Sequence, residues 1–398
     1  MTPRPQNGDR PELTFNAVEA LLAQPKRTAL VLSGGGTRAA YQIGALKALL
    51  PFFGDRKVDN ISVIVGSSIG AINGLMLGAC LKCGLSDAVN QIEALWRVRN
   101  FRNSFSGTPS QAFLRAVKMA VMQYLSPGPK ATQAAIFDPT PMMREVDLII
   151  ERNGGLAPEQ RAPSLKAVSV MTTIEGATRK PLLFLSAHKP LTLGELDGAS
   201  FEVCNVRTLS AKHGFASAAL PSVLPPVEID VEGGNVKLVD GGISQNVPVD
   251  PAVRLGAERV IVLDVSGRDW WLNRDNEPQD TRPTWEVLAA PQTYCLRPPE
   301  TFVFRCRTAL GGLLKESVAS SHMKFMAALG PVWPVFSLLK RKLGEDIAYE
   351  AMTYVALDPD YIEGLIELGY NETLYLLHKK GEISFALNES YGEWLKTF

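Results

Sequence analysis

Charge of one sign is what this chain most plainly lacks: 41 Lys plus Arg face 41 Asp plus Glu over 398 residues. A protein that holds nucleic acid by neutralising phosphates needs a basic excess, so no polyanionic partner is expected. Cysteine is scarce and odd in number, at five, which argues against a disulfide framework in a chain of this length. Cys80 and Cys83 form a C-x-x-C inside an apolar, helix-like run with no second pair. They read as structural thiols rather than zinc ligands, and no metal is expected. Long apolar runs are missing as well. The best, Phe325 to Leu339, falls short of the roughly 20 residues a membrane span needs and contains Pro331 and Pro334. The opening MTPRPQNGDRPEL has no apolar core of the signal-peptide kind. A cytoplasmic protein, with peripheral membrane contact at most, is the expectation. Histidine occurs only at 188, 213, 322 and 378, so catalysis built on histidine has few candidates.

What is present is a strong alternation of strand-like and helix-like segments. Residues 1–26 read as an arm with a short helix around Ala17 to Ala23. From Thr28 the order is TALVL, SGGGTR, the helical AAYQIGALKALL, then ISVIV, GSSIG and a second helical run through Leu81. Such βαβ alternation predicts an α/β fold with a mostly parallel sheet. Further strands are predicted at Lys166 to Thr172, Leu182 to Ser186, Val236 to Val239 and Arg259 to Val265. EIDVEGGNVKLVD reads as a β-hairpin turning at Gly233–Gly234–Asn235. Beyond Ser266 the composition shifts through Trp270, Trp271 and several prolines into a helical tail. The division expected is an arm (1–26), a catalytic domain (27–265) and a C-terminal helical subdomain or cap (266–398).

Three short strings carry chemistry. Gly66-Ser67-Ser68-Ile69-Gly70 is a G-x-S-x-G between an apolar strand and a helix. A nucleophilic serine on a sharp strand-to-helix turn needs small neighbours, and the helix N-terminus favours negative charge beside it. The string alone also fits a glycine-rich packing turn. Gly34-Gly35-Gly36-Thr37-Arg38 is a second loop of this kind, with backbone N–H groups free to meet an oxyanion or a phosphate. It fits the dinucleotide fingerprint too, with Gly34, Gly36 and Ala39 in the small positions. A nucleotide-binding oxidoreductase would need its ribose-binding acid at the end of the next strand. Asp55 and Asp59 precede that strand, and GSSIG occupies its end. One βαβ unit separates the two loops, so a right-handed crossover brings them to the same sheet edge. The third string, Asp240-Gly241-Gly242, ends a strand and precedes SQNVPV. It offers a carboxylate base at that edge, although Asp-Gly by itself is an ordinary turn.

SGGGTR, GSSIG and DGG, in this order and context, resemble the patatin-like phospholipase family. FASAALPSVLPPVEI is similar to that family's segment between nucleophile and aspartate, and the resemblance covers roughly Arg27 to Val265. It implies a three-layer α/β/α sandwich and a Ser–Asp dyad of Ser68 and Asp240. It also implies an oxyanion hole in the loop Gly34–Gly35–Gly36, with the Gly35 and Gly36 amides as donors and Arg38 in support. Gly66, Gly70, Gly241 and Gly242 complete the motifs. No cofactor enters such a scheme. Many members carry glycine after the arginine, where this chain has Ala39; relatives of the cytosolic phospholipase A type accept alanine there. The activity implied is hydrolysis of phospholipid or lysophospholipid acyl esters. An acyltransferase using the same acyl-enzyme, or a non-enzymatic lipid-binding scaffold, are the alternatives.

A lipid substrate must come from a membrane or micelle. From Ala94 to Phe137 there is no Asp or Glu, but Arg97, Arg99, Arg102, Arg115, Lys118 and Lys130 alternate with Trp96, Phe101, Phe105, Phe113 and Tyr124. That pattern fits a basic amphipathic segment on an anionic interface, and equally a helical pair packed on the core. Residues 325–342, closed by Lys340, Arg341 and Lys342, are a second candidate surface or lid.

Overall fold

The computed structural model of the chain describes residues 26–53, 61–125, 135–196, 199–231, 234–266, 300–306, 308–319 and 321–378. The features expected at Ala17 to Ala23, Asp55, Asp59, Lys130, Gly233, Trp270 and Trp271 lie outside the described residues.

Among the described residues nine strands form one sheet: β1 (Thr28–Leu32), β2 (Ile61–Ser67), β3 (Ala167–Ile174), β4 (Pro181–Ala187), β5 (Glu202–Asn205), β6 (Val227–Val231), β7 (Gly234–Val239), β8 (Arg259–Asp264) and β9 (Glu300–Arg305). Their order is β5-β4-β3-β2-β1-β8-β9, with the β6–β7 hairpin attached at the end of β3. β3, β2, β1, β8 and β9 run parallel, while β4 reverses against β3. TALVL, ISVIVGS and RVIVLD are buried at every residue. Strands covered on both faces have no solvent side, which is why these read as continuous apolar runs. Pairing of Leu32 with both Gly66 and Leu263, and of Ser67 with Met171, aligns the carboxyl ends of four strands along one edge. In the hairpin Val231 lies opposite Gly234. Gly234 and Asn235 are therefore strand residues, not the turn residues expected.

Among the described residues the α-helices longer than four residues are α1 (Ala40–Phe53), α2 (Ile69–Cys80), α3 (Leu85–Arg97), α4 (Pro109–Leu125), α5 (Thr140–Arg152), α6 (Ala211–Ser217), α7 (Val249–Arg254), α8 (Leu310–Ala319), α9 (His322–Leu329), α10 (Trp333–Leu343), α11 (Glu345–Met352) and α12 (Pro359–His378). Successive strand residues point to opposite faces. Leu30, Leu32, Ile64, Ile261 and Leu263 belong to one apolar core with buried residues of α1, α2, α3 and α12. Ala29, Val31, Val63, Val65, Val260 and Val262 pack against Val249 and Ala252 of α7. The result is an α/β/α sandwich with one thick and one thin helical layer. Residues far along the chain return to this body. β9 extends the sheet, and α12 crosses α1 at backbone contact, where a Cβ on Gly44 would stand 1.8 Å from the Ile366 carbonyl oxygen. No helix among the described residues is long and apolar enough to cross a membrane.

Candidate active site

Ser68 stands between β2 and α2 with φ 52° and ψ −134°. A non-glycine residue at positive φ costs on the order of 1–3 kcal/mol and persists only where the surroundings enforce it. The surroundings here are close. A Cβ on Gly70 would lie 2.4 Å from the carbonyl oxygens of Leu32 and Ser33, and one on Gly66 2.4 Å from Ala71 Cα. The two motif glycines thus let α2 start directly against the ends of β1 and β2. The Ser68 N–H donates to Ser217 Oγ at 2.7 Å, and that hydroxyl donates in turn to the Met171 carbonyl.

Asp240 follows β7, and its Oδ2 accepts a hydrogen bond from Ser68 Oγ at 2.6 Å. Its Oδ1 accepts from the Gly242 N–H at 2.7 Å, its own N–H donates to the Ala219 carbonyl at 3.0 Å, and its carbonyl accepts from Thr173 Oγ1 at 2.8 Å. The carboxylate is therefore fixed at both ends. Burial pushes its pKa up to about 6, against the opposing pull of the Ser68 and Gly242 hydrogen bonds. A carboxylate in that range is still ionised at neutral pH and is a better base than one in water.

The glycine loop abuts this pair, since a Cβ on Gly34 would lie 2.7 Å from Ser68 Cβ. The Gly34 N–H is already taken, donating to the Asn246 carbonyl at 3.2 Å, while Asn246 Nδ2 donates to the Gly34 carbonyl. Thr37 N–H donates to the Tyr354 carbonyl and Arg38 N–H to that of Gly35. Among the described residues the N–H groups of Gly35 and Gly36 have no acceptor, so they are the pair able to receive an oxyanion. Beneath the loop, Gln42 Nε2 donates to the Ser33 and Leu263 carbonyls. Asn73 Nδ2 donates to the Ala39 carbonyl and Gln42 Oε1, and Trp96 Nε1 donates to Asn73 Oδ1.

Two expectations are revised. Gly34 belongs to the loop, but its amide is committed to Asn246. Arg38, expected as support for the oxyanion, has its guanidinium engaged by other groups. It is 2 % exposed, with Nε donating to Thr353 Oγ1, Nη1 to the Ser266 carbonyl and Tyr354 Oη, and Nη2 to the Glu350 carbonyl and Oε1. All five guanidinium N–H groups are thus engaged.

Among the described residues no histidine bonds to Ser68 or Asp240. His213 closes a capping box with Ser210 and meets the Phe184 ring edge-on; burial pulls its pKa down to about 4. The basic segment splits between its two readings. Trp96 is core, Arg97 pairs with Glu93 and Glu363, and Arg99 is buried with its Nη1 2.8 Å from Glu145. Phe101, Phe105 and Phe137 form one aromatic cluster. Arg102, Phe113 and Lys118 are exposed. Ser217, Asn246, Gln42 and Asn73 escaped the sequence reading, although the first two sit in the noted strings FASAALP and SQNVPV. Glu350, Thr353 and Tyr354 had no sequence signal.

Residues 30–253 match the family described as patatin-like phospholipase. The chain belongs to that family. No curated protein matches the sequence. Among solved structures, VipD from Legionella pneumophila is similar at 14 % identity, covering 89 % of this chain and 67 % of its own, with a TM-score of 0.37. Human GIVD cytosolic phospholipase A2 gives 11 %, 63 %, 48 % and 0.33 in the same order. The type III effector ExoU of Pseudomonas aeruginosa gives 12 %, 86 %, 53 % and 0.30. The chain thus spans about half the length of the last two. The family match also ends before β8, so the site's C-terminal contacts lie outside it.

Proposed function

We propose that this patatin-like phospholipase family member hydrolyses fatty-acyl esters of phospholipids or lysophospholipids through an acyl-Ser68 intermediate. The observation that carries the reading is the 2.6 Å hydrogen bond from Ser68 Oγ to a buried Asp240 carboxylate, next to two unpaired loop amides. In the first half-reaction the Ser68 hydroxyl proton passes to Asp240 Oδ2 as Oγ attacks the ester carbonyl. The Gly35 and Gly36 amides receive the resulting oxyanion. Collapse breaks the ester bond, and Asp240 returns the proton to the leaving alcohol. Water then attacks the acyl group with Asp240 again taking the proton, which releases the fatty acid and restores Ser68. The test is fluorophosphonate labelling of wild type and Ser68→Ala, followed by analysis of lipid products. Labelling that persists in the variant sinks the assignment, and acyl transfer to an added alcohol in preference to water redirects it to an acyltransferase.

Docking on anionic lipid fits the surface formed by α4 and α10. α4 packs against 330–332 and α10, joining two stretches that contain no acidic residue. Leu114, Met323 and Trp333 are exposed there, as are Lys118, Arg341 and Lys342. Arg115 of α4 donates to the Ile136 carbonyl, and the Ile136 N–H donates to the Ser222 carbonyl, in the loop that leads back to Asp240 through Ala219. Co-sedimentation with vesicles of phosphatidylcholine alone and with added phosphatidylserine checks this; equal or absent binding to both rejects it.

A further inference from the structure

The family match ends at 253, yet the loop that carries the candidate oxyanion donors is held by residues about a hundred positions later. Contacts at three successive loop residues, Gly36, Thr37 and Arg38, make this a clamp rather than a chance touch. The Tyr354 carbonyl accepts from the Thr37 N–H at 3.0 Å and from Thr37 Oγ1 at 3.4 Å, directly after the two unpaired amides. Gly36, at φ 58°, lies so close to the same carbonyl that a Cβ would stand 2.0 Å from its oxygen. The Arg38 guanidinium lies 3.9 Å from the Tyr354 ring centroid and forms a buried pair with Glu350 at 2.8 Å. Glu350 is itself fixed, because its Oε2 accepts from the Gly311 N–H of α8. Thr353 links the parts, accepting from Arg38 Nε at 2.7 Å and donating to the Glu350 carbonyl.

We propose that Glu350, Thr353 and Tyr354 are positioning residues for the oxyanion hole: the C-terminal region holds the glycine loop in its productive shape through Arg38 and Thr37. The proposal rests on the Ser68–Asp240 reading above. Arg38 is then a tether, and its charge serves Glu350 rather than the reacting ester. Among the described residues no hydrogen bond or ion pair joins the clamp to Asp240 or Ser68, so it sets where the Gly35 and Gly36 amides stand without altering the base. A misplacement of catalytic donors by about 1 Å costs on the order of a hundredfold in rate.

The experiment compares Glu350→Gln, Thr353→Val and Tyr354→Phe in the full chain, the last two being mild enough to fold should the first not. A kcat lowered about 10- to 100-fold in Glu350→Gln and less in the others is expected, with KM within about twofold of wild type. The fluorophosphonate labelling rate should fall in parallel, and the acid limb of the pH profile should stay in place because it reports Asp240. Hydrogen exchange in the peptide spanning Thr37 and Arg38 should quicken by about tenfold, with the peptide around Ser68 unchanged. Arg38→Ala combined with Glu350→Gln should be no worse than the more damaging single change, since both break one clamp. Wild-type kcat in folded variants overturns the proposal. So does a general rise in exchange with kcat and KM both altered, which marks a purely structural role. Additive losses from Arg38→Ala and Glu350→Gln would return Arg38 to direct action on the oxyanion. The exchange measurement needs no substrate, so it decides the clamp even if wild type proves inactive on lipid esters.

Discussion

The two halves of the candidate site are built in opposite ways. The serine turn is determined by its own neighbourhood in the sheet: β2 feeds it, α2 leaves it, and Gly66 and Gly70 permit the close packing. The glycine loop also follows a strand, but its shape depends on residues from both ends of the chain. Asn246 holds Gly34, Gln42 and Asn73 hold the carbonyls of Ser33 and Ala39, and Tyr354 holds Thr37. The difference separates bond-making from transition-state stabilisation. Ser68 and Asp240, the proposed nucleophile and base, sit within the family's common segment, while the placement of the proposed oxyanion donors draws on a region that segment excludes. Two members of one family can therefore share the dyad and differ in how firmly the hole is set.

The largest expected effect falls on the dyad side. Asp240→Asn should lower kcat by about a thousandfold or more, because the amide can no longer take the Ser68 proton. The same change should leave the protein at least as stable. Burial raises Asp240 to about 6 from its ordinary value near 3.8. A carboxyl with a raised folded-state pKa favours folding fully below its unfolded value, and that contribution is lost as pH rises through about 6. At neutral pH the ionised group therefore destabilises the fold by on the order of 3 kcal/mol, and a neutral Asn relieves part of it. Thermal unfolding at pH 7.5 measures this; a lower Tm for Asp240→Asn would show that the hydrogen bonds from Ser68 and Gly242 outweigh desolvation. In the wild type kcat should decline as pH falls through about 6, approaching tenfold per unit, and the limb should vanish in Asp240→Asn.

On the loop side, Gly36→Ala is the sharpest probe. The new methyl meets the Tyr354 carbonyl at 2.0 Å, and alanine is strained at φ 58°. Loop and C-terminal segment must separate, so kcat should fall about a hundredfold with little change in KM, together with a lower Tm. A variant with wild-type kcat would mean that the loop keeps its function without Tyr354, and the contrast between the two halves would collapse.

Legibility in the sequence follows the same division. Strands buried on both faces announce themselves as TALVL, ISVIV and RVIVL, and they form the mostly parallel sheet expected, to which the unexpected β5 and β9 add its two edges. Ser68 stands out in the sequence because its motif obeys local rules of strand, sharp turn and glycines, whereas Asp240, an ordinary Asp-Gly turn by itself, is singled out only by the family resemblance. Arg38 reads as oxyanion support because a cation beside a glycine loop suggests an anion, and only the fold shows its pairing with Glu350. A contact between residues 312 positions apart leaves no mark on either segment. The basic segment 94–137 was ambiguous for a related reason. Composition cannot distinguish an Arg99 buried beside Glu145 from an Arg102 left in water.

The smallest effect expected belongs to Ser217, which supports the serine turn from a distant part of the chain. Its hydroxyl accepts from the Ser68 N–H and donates to the Met171 carbonyl, joining β2 to β3 behind the nucleophile. Ser217→Ala leaves the Ser68 N–H without that acceptor in a buried place, at a cost of about 1–3 kcal/mol in stability. The positive φ of Ser68 is also enforced by Gly66 and Gly70, which the change does not touch, so kcat should fall by only about two- to tenfold. Unfolding in urea gives the first quantity and turnover on lysophospholipid micelles the second. A loss in kcat as large as that of Gly36→Ala would mean that the turn too is held from afar, and that its apparent self-sufficiency is an effect of motif glycines being easy to see.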